Sequence, residues 1–196
     1  TQRAHMHIED LAAQLKPFPA LFDLPERLTL TPAAADRRKL IAVRGVQGMN
    51  ADGCTYYRLQ GSELFFEIVL SRSLELGGAE YGARNVDFPS IRMRRFDGSI
   101  DDDSLTVKAV VQRKTLHVAD VTAELGAEAH RTQGFDRLMD YHTHSILTVP
   151  VMRDEKVFGV LQFINANDAE RQAVPFDAQR IALGETLARL MANAPD

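Results

Sequence analysis

Histidines are the residues of this chain best suited to bind a metal ion or to move a proton. Six occur among the 196 residues, and His142 and His144 are alternate residues that would point the same way on a strand. A zinc site needs three or four convergent N, O or S ligands, and His117 and His130 are distant in sequence. We therefore predict no metal site and interpret the pair as rim residues before a strand. The alternative is that they reach an anion at a pocket mouth.

Other reactive side chains lack the partners that catalysis requires. The single cysteine, Cys54, excludes an internal disulfide and a thiolate zinc cage, and it falls in a predicted strand where it would pack as a small hydrophobic residue. Asp101–Asp103 and Asp120 could serve as acids or bases, but no spacing ties a second group to them. The GGAEY stretch at Gly77–Tyr81 lacks a carboxylate of the GGDEF cyclase motif and is typical of a loop. We predict no catalytic residue, no enzymatic activity and no cofactor.

Composition narrows the class of protein further. Hydrophobic residues make up 45% of the chain and charged residues 26%, which is typical of one soluble globular domain. The net charge of −4 provides no basic surface for nucleic acid. The sequence contains no apolar run long enough for a membrane span. We expect a cytoplasmic protein with neither nucleic-acid nor membrane partners.

The strongest structural pattern lies near the C-terminus. Two apolar runs, Ser145–Met152 and Val157–Ile164, flank the polar turn Arg153–Lys156, which predicts a β-hairpin. Alternation between polar and apolar residues is weak in both runs, so both faces of these strands should be covered. The hairpin residues pack and carry no chemistry, which favours a folded sensing module over a catalyst.

Periodicity and turn residues divide the rest of the chain into helices, strands and connecting segments. Helices are predicted from Ile8 to before Pro17, from the cap Thr31–Pro32 to about Met49, at Ser104–Arg113 and at Asp177–Ala194. The inward-facing residues of the second and last helices are expected to be Leu40, Val43, Met49, Leu183, Leu187, Leu190 and Met191. Strands are predicted at Cys54–Leu59, Leu64–Leu70, Pro89–Met93 and Thr115–Val121. The remaining segments are a packed connector, a loop and a helix-loop region: Pro17–Leu30, Ser71–Asp87 and Glu124–Asp140. This order predicts an α+β fold with a mostly antiparallel sheet.

Several of these segments resemble a known family of sensor modules, the GAF domains. The segments are ADGCTYYRL at Ala51–Leu59, ELFFEIVLSRSLELGG at Glu63–Gly78, SLTVKAVVQRKTLHVADV at Ser104–Val121, FDRLMDYHTHSILTVPV at Phe135–Val151 and VFGVLQFINA at Val157–Ala166. They are similar to GAF modules found beside HD-GYP phosphodiesterases and nucleotide cyclases in bacterial signalling proteins. The resemblance covers roughly Thr31–Ala194, so we assign residues 1–30 to an N-terminal helix and connector and residues 31–196 to the domain.

The resemblance implies a GAF-like central antiparallel sheet of about five to six strands. The N- and C-terminal helices would lie on one face and pair in a homodimer, and a pocket for a small molecule of unknown identity would lie on the other. Carried over by position, that pocket would be lined by Phe88, Ile91, Met93, Leu105, Val121, Phe135, Tyr141, His144 and Ser145. The implied role is that of a non-catalytic signal-transduction sensor acting on a separate or covalently attached effector. The alternative is a structural dimerisation module with a degenerate pocket.

Cyclic nucleotides are a less favoured ligand. Family members that bind them carry an Asn-Lys pair, a later phenylalanine and an aspartate. In this chain Asn165 and Phe176 match, whereas Ala166 replaces the lysine and Arg180 stands where the aspartate would be. The aromatic-acid pair that reads a purine edge is also absent from the second strand.

Overall fold

A computed structural model describes residues 8–78, 81–82, 86–126, 136–137 and 139–193. These residues form an antiparallel sheet whose strands are β1 (Ala51–Gln60), β2 (Glu63–Ser71), β3 (Ile91–Arg92), β4 (Leu116–Val118), β5 (Ile146–Arg153), β6 (Lys156–Asn167) and β7 (Ala173–Val174). The order across the sheet is β3-β2-β1-β6-β5-β4, and β7 pairs with β6 outside this path. The predicted α+β fold with an antiparallel sheet is confirmed.

Helices precede, interrupt and follow the strands. They are α1 (Ile8–Leu15), α2 (Leu24–Thr29), α3 (Ala34–Met49), α4 (Leu105–Gln112), α5 (Val121–Leu125) and α6 (Ala178–Ala192). Ser104 and Asp177 cap α4 and α6, since their side chains accept hydrogen bonds from backbone N–H groups inside the first turn. Among the described helices, none is both long and apolar enough to cross a lipid bilayer.

The predicted C-terminal hairpin is confirmed as the β5–β6 pair. Arg153 pairs with Lys156, and the two residues between them, Asp154 and Glu155, both have positive φ angles of 51° and 65°. Two consecutive left-handed residues define a type I′ turn, whose twist matches that of the flanking strands. Six residues of β5, from Ile146 to Val151, are buried, so both faces of this strand are covered as expected.

One face of the sheet forms the main core against α3 and α6. Cys54 of β1, Leu147 of β5 and Phe163 of β6 are almost fully buried there, together with Ile41 and Leu187 from the two helices. The predicted α6 stripe of Leu183, Leu187, Leu190 and Met191 is buried as expected. Because side chains alternate across a strand, the residues next to these on β1, β5 and β6 point to the opposite face.

The opposite face is covered by α4. Val107 and Val110 of α4 pack with Tyr57, Leu64 and Val160 in a second, smaller cluster. Val118, Val121 and Ile146 form a third cluster beside it. The sheet is therefore the middle of three layers, with the terminal helices on one side and α4 on the other.

The N-terminal predictions need correction. The Pro17–Leu30 connector is partly helical, with a 3₁₀ turn at Pro19–Leu21 followed by α2. Pro19 and Pro25 lie in the first turn of these two elements, where the missing N–H has no intrahelical acceptor in any case. Leu21 and Leu24 are fully buried, so the connector packs against the rest of the protein as expected.

The start and inward face of α3 also differ from the prediction. Ala33 occupies the cap position, and the Thr31 hydroxyl instead donates to the Arg27 carbonyl at 2.8 Å, at the end of α2. Met49 is fully buried as predicted, whereas Leu40 and Val43 are only partly buried. The central inward positions belong to Ile41 and Val46, which lie with Met49 on the face of the helix that packs into the main core.

Between α4 and β5 the predicted strand Thr115–Val121 is shorter than expected. The strand ends at Val118, and Val121 begins α5, because the Asp120 side chain accepts the Ala123 N–H at 3.0 Å and starts a helix. The loop predicted at Ser71–Asp87 and the region at Glu124–Asp140 lie partly outside the described residues.

Candidate ligand-binding site

A cavity of about 220 Å³ lies on the sheet face opposite α3 and α6, beneath the start of α4. Strands β1, β2, β5 and β6 supply its floor, and α4, α5 and the segment before β3 supply its walls. Its polar lining residues are Thr55, Tyr57, Asp103, Ser104, Thr106, Lys108, Thr143 and Gln162. Its apolar lining residues are Phe66, Val69, Phe88, Ile91, Leu105, Leu125, Ile146 and Ile164. A mixed, concave surface of this kind is typical of a small-molecule site.

A hydrogen-bonded group of uncharged side chains forms the polar part of the floor. The Tyr57 hydroxyl donates to Gln162 Oε1 at 3.2 Å, and Gln162 Nε2 donates to Thr148 Oγ1 at 2.9 Å. Tyr57 and Gln162 are each 7% exposed. Burial raises the pKa of Tyr57 above its ordinary value of 10, so its hydroxyl is protonated at neutral pH.

Aromatic rings form one wall of the cavity. The Phe66 ring stacks on Phe88 with centroids 5.0 Å apart and planes 25° apart, and Tyr57 is tilted against Phe66 at 4.7 Å. These separations fall within the range preferred by aromatic pairs. The wall therefore offers ring faces and edges to a planar ligand.

Charged groups reach the cavity only where solvent also reaches them, within the described lining. Asp103 is exposed, and its carboxylate accepts a hydrogen bond from Arg95 at 3.0 Å. Lys108, on α4, is partly exposed. The floor itself is neutral.

The structure describes eight of the nine predicted pocket residues and places them in different surroundings. Phe88, Ile91 and Leu105 line the cavity. Met93 packs in the neighbouring cluster under α4, and Val121 packs against Ile146 at the other end. Phe135 lies outside the described residues. The remaining three, Tyr141, His144 and Ser145, lie at the entry to β5 and belong to a separate hydrogen-bond network.

That network joins the start of β5 to β1 and β6. The Tyr141 hydroxyl donates to Asp52 Oδ2 at 2.7 Å and accepts from Asn165 Nδ2 at 2.9 Å. Burial, with the Asp52 charge as a second cause, raises the pKa of Tyr141. Asn165 Oδ1 also accepts the backbone N–H groups of His144 and Ser145. These hydrogen bonds connect the ends of β1, β5 and β6. The Ser145 hydroxyl donates to the Val174 carbonyl of β7 and does not face the cavity.

Of the described histidines, His117 has a structural role, and so does the single cysteine. His142 is exposed, and within the described residues no group of three His, Cys, Asp or Glu side chains could hold a metal ion. His117 Nε2 accepts the Phe176 N–H at 3.1 Å. Cys54 is 1% exposed in the main core, and burial raises the pKa of its thiol against a weaker opposite effect of Lys39.

Three important cavity residues were missed by the sequence reasoning: Thr55, Tyr57 and Gln162. A signal was present for Gln162, since it is the single polar residue in the apolar run VFGVLQFI. A glutamine on a strand covered on both faces must find hydrogen-bond partners inside the protein. Thr55 and Tyr57 alternate with Cys54 and Tyr56, and only the position of α3 decides which pair faces the cavity.

The architecture and the cavity together define a class of protein: small α+β domains with a cavity across the sheet from the terminal helices. The family model of the GAF domain matches residues 39–194. The chain belongs to the GAF domain family, whose members include sensory and regulatory domains of signalling proteins.

Solved structures with the same fold have low sequence identity. The GAF domain of a phosphoenolpyruvate-protein phosphotransferase from Coxiella burnetii matches with a TM-score of 0.65 and 16% identity over 93% of this chain and 92% of that chain. The nlh2 GAF domain from A. aeolicus, in an inactive state, has a TM-score of 0.61 and 12% identity over 96% and 97% of the two chains. Free methionine-R-sulfoxide reductase from Neisseria meningitidis, in complex with its substrate, has a TM-score of 0.60 and 14% identity over 99% and 95%. No curated protein matches the chain.

Proposed function

We propose that this chain is a non-catalytic sensor domain that binds a small molecule in the cavity and regulates an effector through its terminal helices. The observation that carries the proposal is the cavity of about 220 Å³ on the face of the sheet opposite α3 and α6. A ligand there would contact the strands that also support the helices. Membership of a family with sensory and regulatory members supports the same role.

Strand β2 offers a route from the cavity to α3. Phe66 lines the cavity, while the next residue, Glu67, accepts hydrogen bonds from Arg38 of α3 at 2.8 and 3.0 Å. The β1–β2 register skips Glu67, so this residue is a β-bulge. Bulges re-aim side chains and bend strands locally. A ligand that displaces Phe66 would therefore change the position of the Glu67–Arg38 pair, and binding would shift the population of helix arrangements.

The thiol chemistry of a reductase does not suit this chain. Free methionine-R-sulfoxide reductase shares the fold. Thiol catalysis depends on an accessible thiolate, and Cys54 is buried with its pKa raised. Cys54 is therefore unsuited to thiol catalysis, which supports binding without that kind of turnover.

Cyclic nucleotides remain a disfavoured ligand in this proposal. Asn165 and Phe176, the two positions that match the nucleotide-binding pattern, are engaged in internal contacts with the start of β5 and with His117. Arg180, which replaces the expected aspartate, donates to the Asn167 carbonyl at 2.9 Å. All three residues are therefore engaged in contacts within the domain.

Thermal-shift screening with a panel of soluble metabolites tests the proposal, using two tryptophan variants of α4. Leu105→Trp fills the cavity, whereas Val111→Trp places the same ring on the 50% exposed side of the helix. We expect compounds that raise the melting temperature of the wild type and of Val111→Trp by linkage, and no rise for Leu105→Trp. A wild type that no compound stabilises would favour the structural dimerisation module. If a compound also raises the melting temperature of Leu105→Trp, it binds outside the cavity.

A further inference from the structure

The chemistry of the cavity floor narrows the class of ligand. Gln162 is the central group, because it lies on the middle strand β6 and its amide lines the cavity at 7% exposure. A side-chain amide carries two N–H donors and two acceptor lone pairs. Tyr57 takes up one lone pair and Thr148 one N–H.

One N–H and one lone pair of the Gln162 amide therefore receive no hydrogen bond from the residues that the structure describes. This count is the same whichever way the amide is turned, because both partners are hydroxyl groups that can donate or accept. A buried polar group without a hydrogen bond is costly in free energy. A ligand that bonds to both the N–H and the lone pair of Gln162 is therefore favoured over one that bonds to neither.

Charge and size restrict the ligand further. Moving a carboxylate or ammonium group into an apolar site without a partner is strongly unfavourable, and the described part of the floor offers no opposite charge. Lys108, the sole cation among the described lining residues, is partly exposed. The volume of about 220 Å³ exceeds by about half the roughly 150 Å³ cavity that holds benzene in a dry apolar core. The cavity accommodates one substituted ring or a small bicyclic compound.

Building on the proposed sensor function, we propose that the ligand is a neutral, planar ring compound carrying an amide-like group. The group's N–H and C=O would pair with the free acceptor and donor of Gln162. Its ring would pack against the Phe66–Phe88 wall, where offset and edge-on contacts are favourable.

Three isosteric probes test this class: benzamide, benzoate and isopropenylbenzene. They share one ring and a branched substituent of similar size, and they differ in charge and hydrogen bonding. In isothermal titration of the full chain at neutral pH, we expect benzamide to bind and benzoate to bind at least about tenfold more weakly, a difference of about 1.4 kcal/mol. Equal binding of benzoate, or no benzamide binding into the millimolar range, would overturn the assigned class.

The Gln162→Met variant isolates the amide, because methionine is of similar length and apolar. We expect it to weaken benzamide binding by about tenfold and to leave isopropenylbenzene binding unchanged or tighter. Unchanged benzamide affinity in this variant would overturn the role of Gln162. In the wild type, benzamide should shift the NMR signals of the Gln162 side-chain amide more than isopropenylbenzene does, and equal shifts would contradict the pairing even if the variant fails to fold.

The Leu105→Trp variant separates the two proposals. If it abolishes binding of all three probes while benzoate matches benzamide in the wild type, the cavity is the binding site and only the ligand class is wrong. If benzamide binding persists in Leu105→Trp, the cavity is not the site and the proposed function fails as well.

Discussion

His117 shows how one half-buried side chain can make the stability of this domain depend on pH. Its Nε2 accepts the Phe176 N–H at 3.1 Å, which requires the neutral ring. Burial lowers the pKa of His117 below its ordinary value of 6.5, and the nearby Glu124 carboxylate opposes that shift only in part. Below pH 6.5 the unfolded chain therefore binds more protons at this residue than the folded chain does.

We expect the free energy of unfolding to fall as the pH drops below about 6.5 and to level off below the lowered folded-state pKa. His117→Gln, which retains an acceptor but does not titrate, should flatten this dependence in urea denaturation measured across the window. His142→Gln, at an exposed histidine, serves as the control and should keep the wild-type slope. A wild-type slope in His117→Gln would show that other groups cause the effect.

At the scale of the element, the turn of the β5–β6 hairpin contains a residue that disfavours the backbone conformation the turn requires. Type I′ turns favour glycine at the second central position, because a side chain is strained at positive φ. That position holds Glu155 with a φ of 65°. The apolar strands impose the turn despite the local preference of glutamate.

Replacing Glu155 with glycine should therefore raise the free energy of unfolding by about 0.5 to 1 kcal/mol, measured by urea denaturation. Glu170→Gly is the matched control, since Glu170 is also an exposed loop glutamate but does not have a positive φ. At Glu170, glycine relieves no strain, and the free energy of unfolding should stay the same or fall. Equal effects at the two positions would mean that the turn stores no strain.

At the scale of the whole molecule, the terminal-helix layer is the surface that a sensor domain would use to pair with a second copy. Phe22 and Leu30 are 73% and 71% exposed, and both lie in the N-terminal helical segment next to α3. Phe96 is fully exposed on the turn after the edge strand β3. These residues allow two surfaces to be compared with the same substitution.

We expect light scattering after size-exclusion chromatography to give a mass twice the 21.9 kDa of one chain at high micromolar concentration. Phe22→Asp should shift the protein towards monomer, because a buried carboxylate opposes association, whereas Phe96→Asp should not. A wild-type monomer, or dissociation caused by Phe96→Asp and not by Phe22→Asp, would contradict pairing through the terminal helices.

Local sequence patterns were sufficient for the elements that depend on neighbouring residues. The hairpin, the start of the last helix at Asp177, the apolar stripe of α6 and the antiparallel α+β fold follow from periodicity and turn residues that act over a few positions. The resemblance to the GAF family came from those same segments. The helical content of Pro17–Leu30 was missed because Pro19 and Pro25 look disruptive unless they are known to occupy first turns.

The cavity was decided by the tertiary structure. Tyr57, Thr148 and Gln162 come from β1, β5 and β6, and they meet because the strand register aligns them on one face. Of the residues expected in the pocket, Phe88, Ile91 and Leu105 reach the cavity, whereas Ser145 is turned to β7. When both faces of a strand are covered, polar and apolar residues do not alternate, so the sequence does not indicate which side chains point to which face. Only the packing of α3 and α6 on one side and α4 on the other determines which side chains line the site.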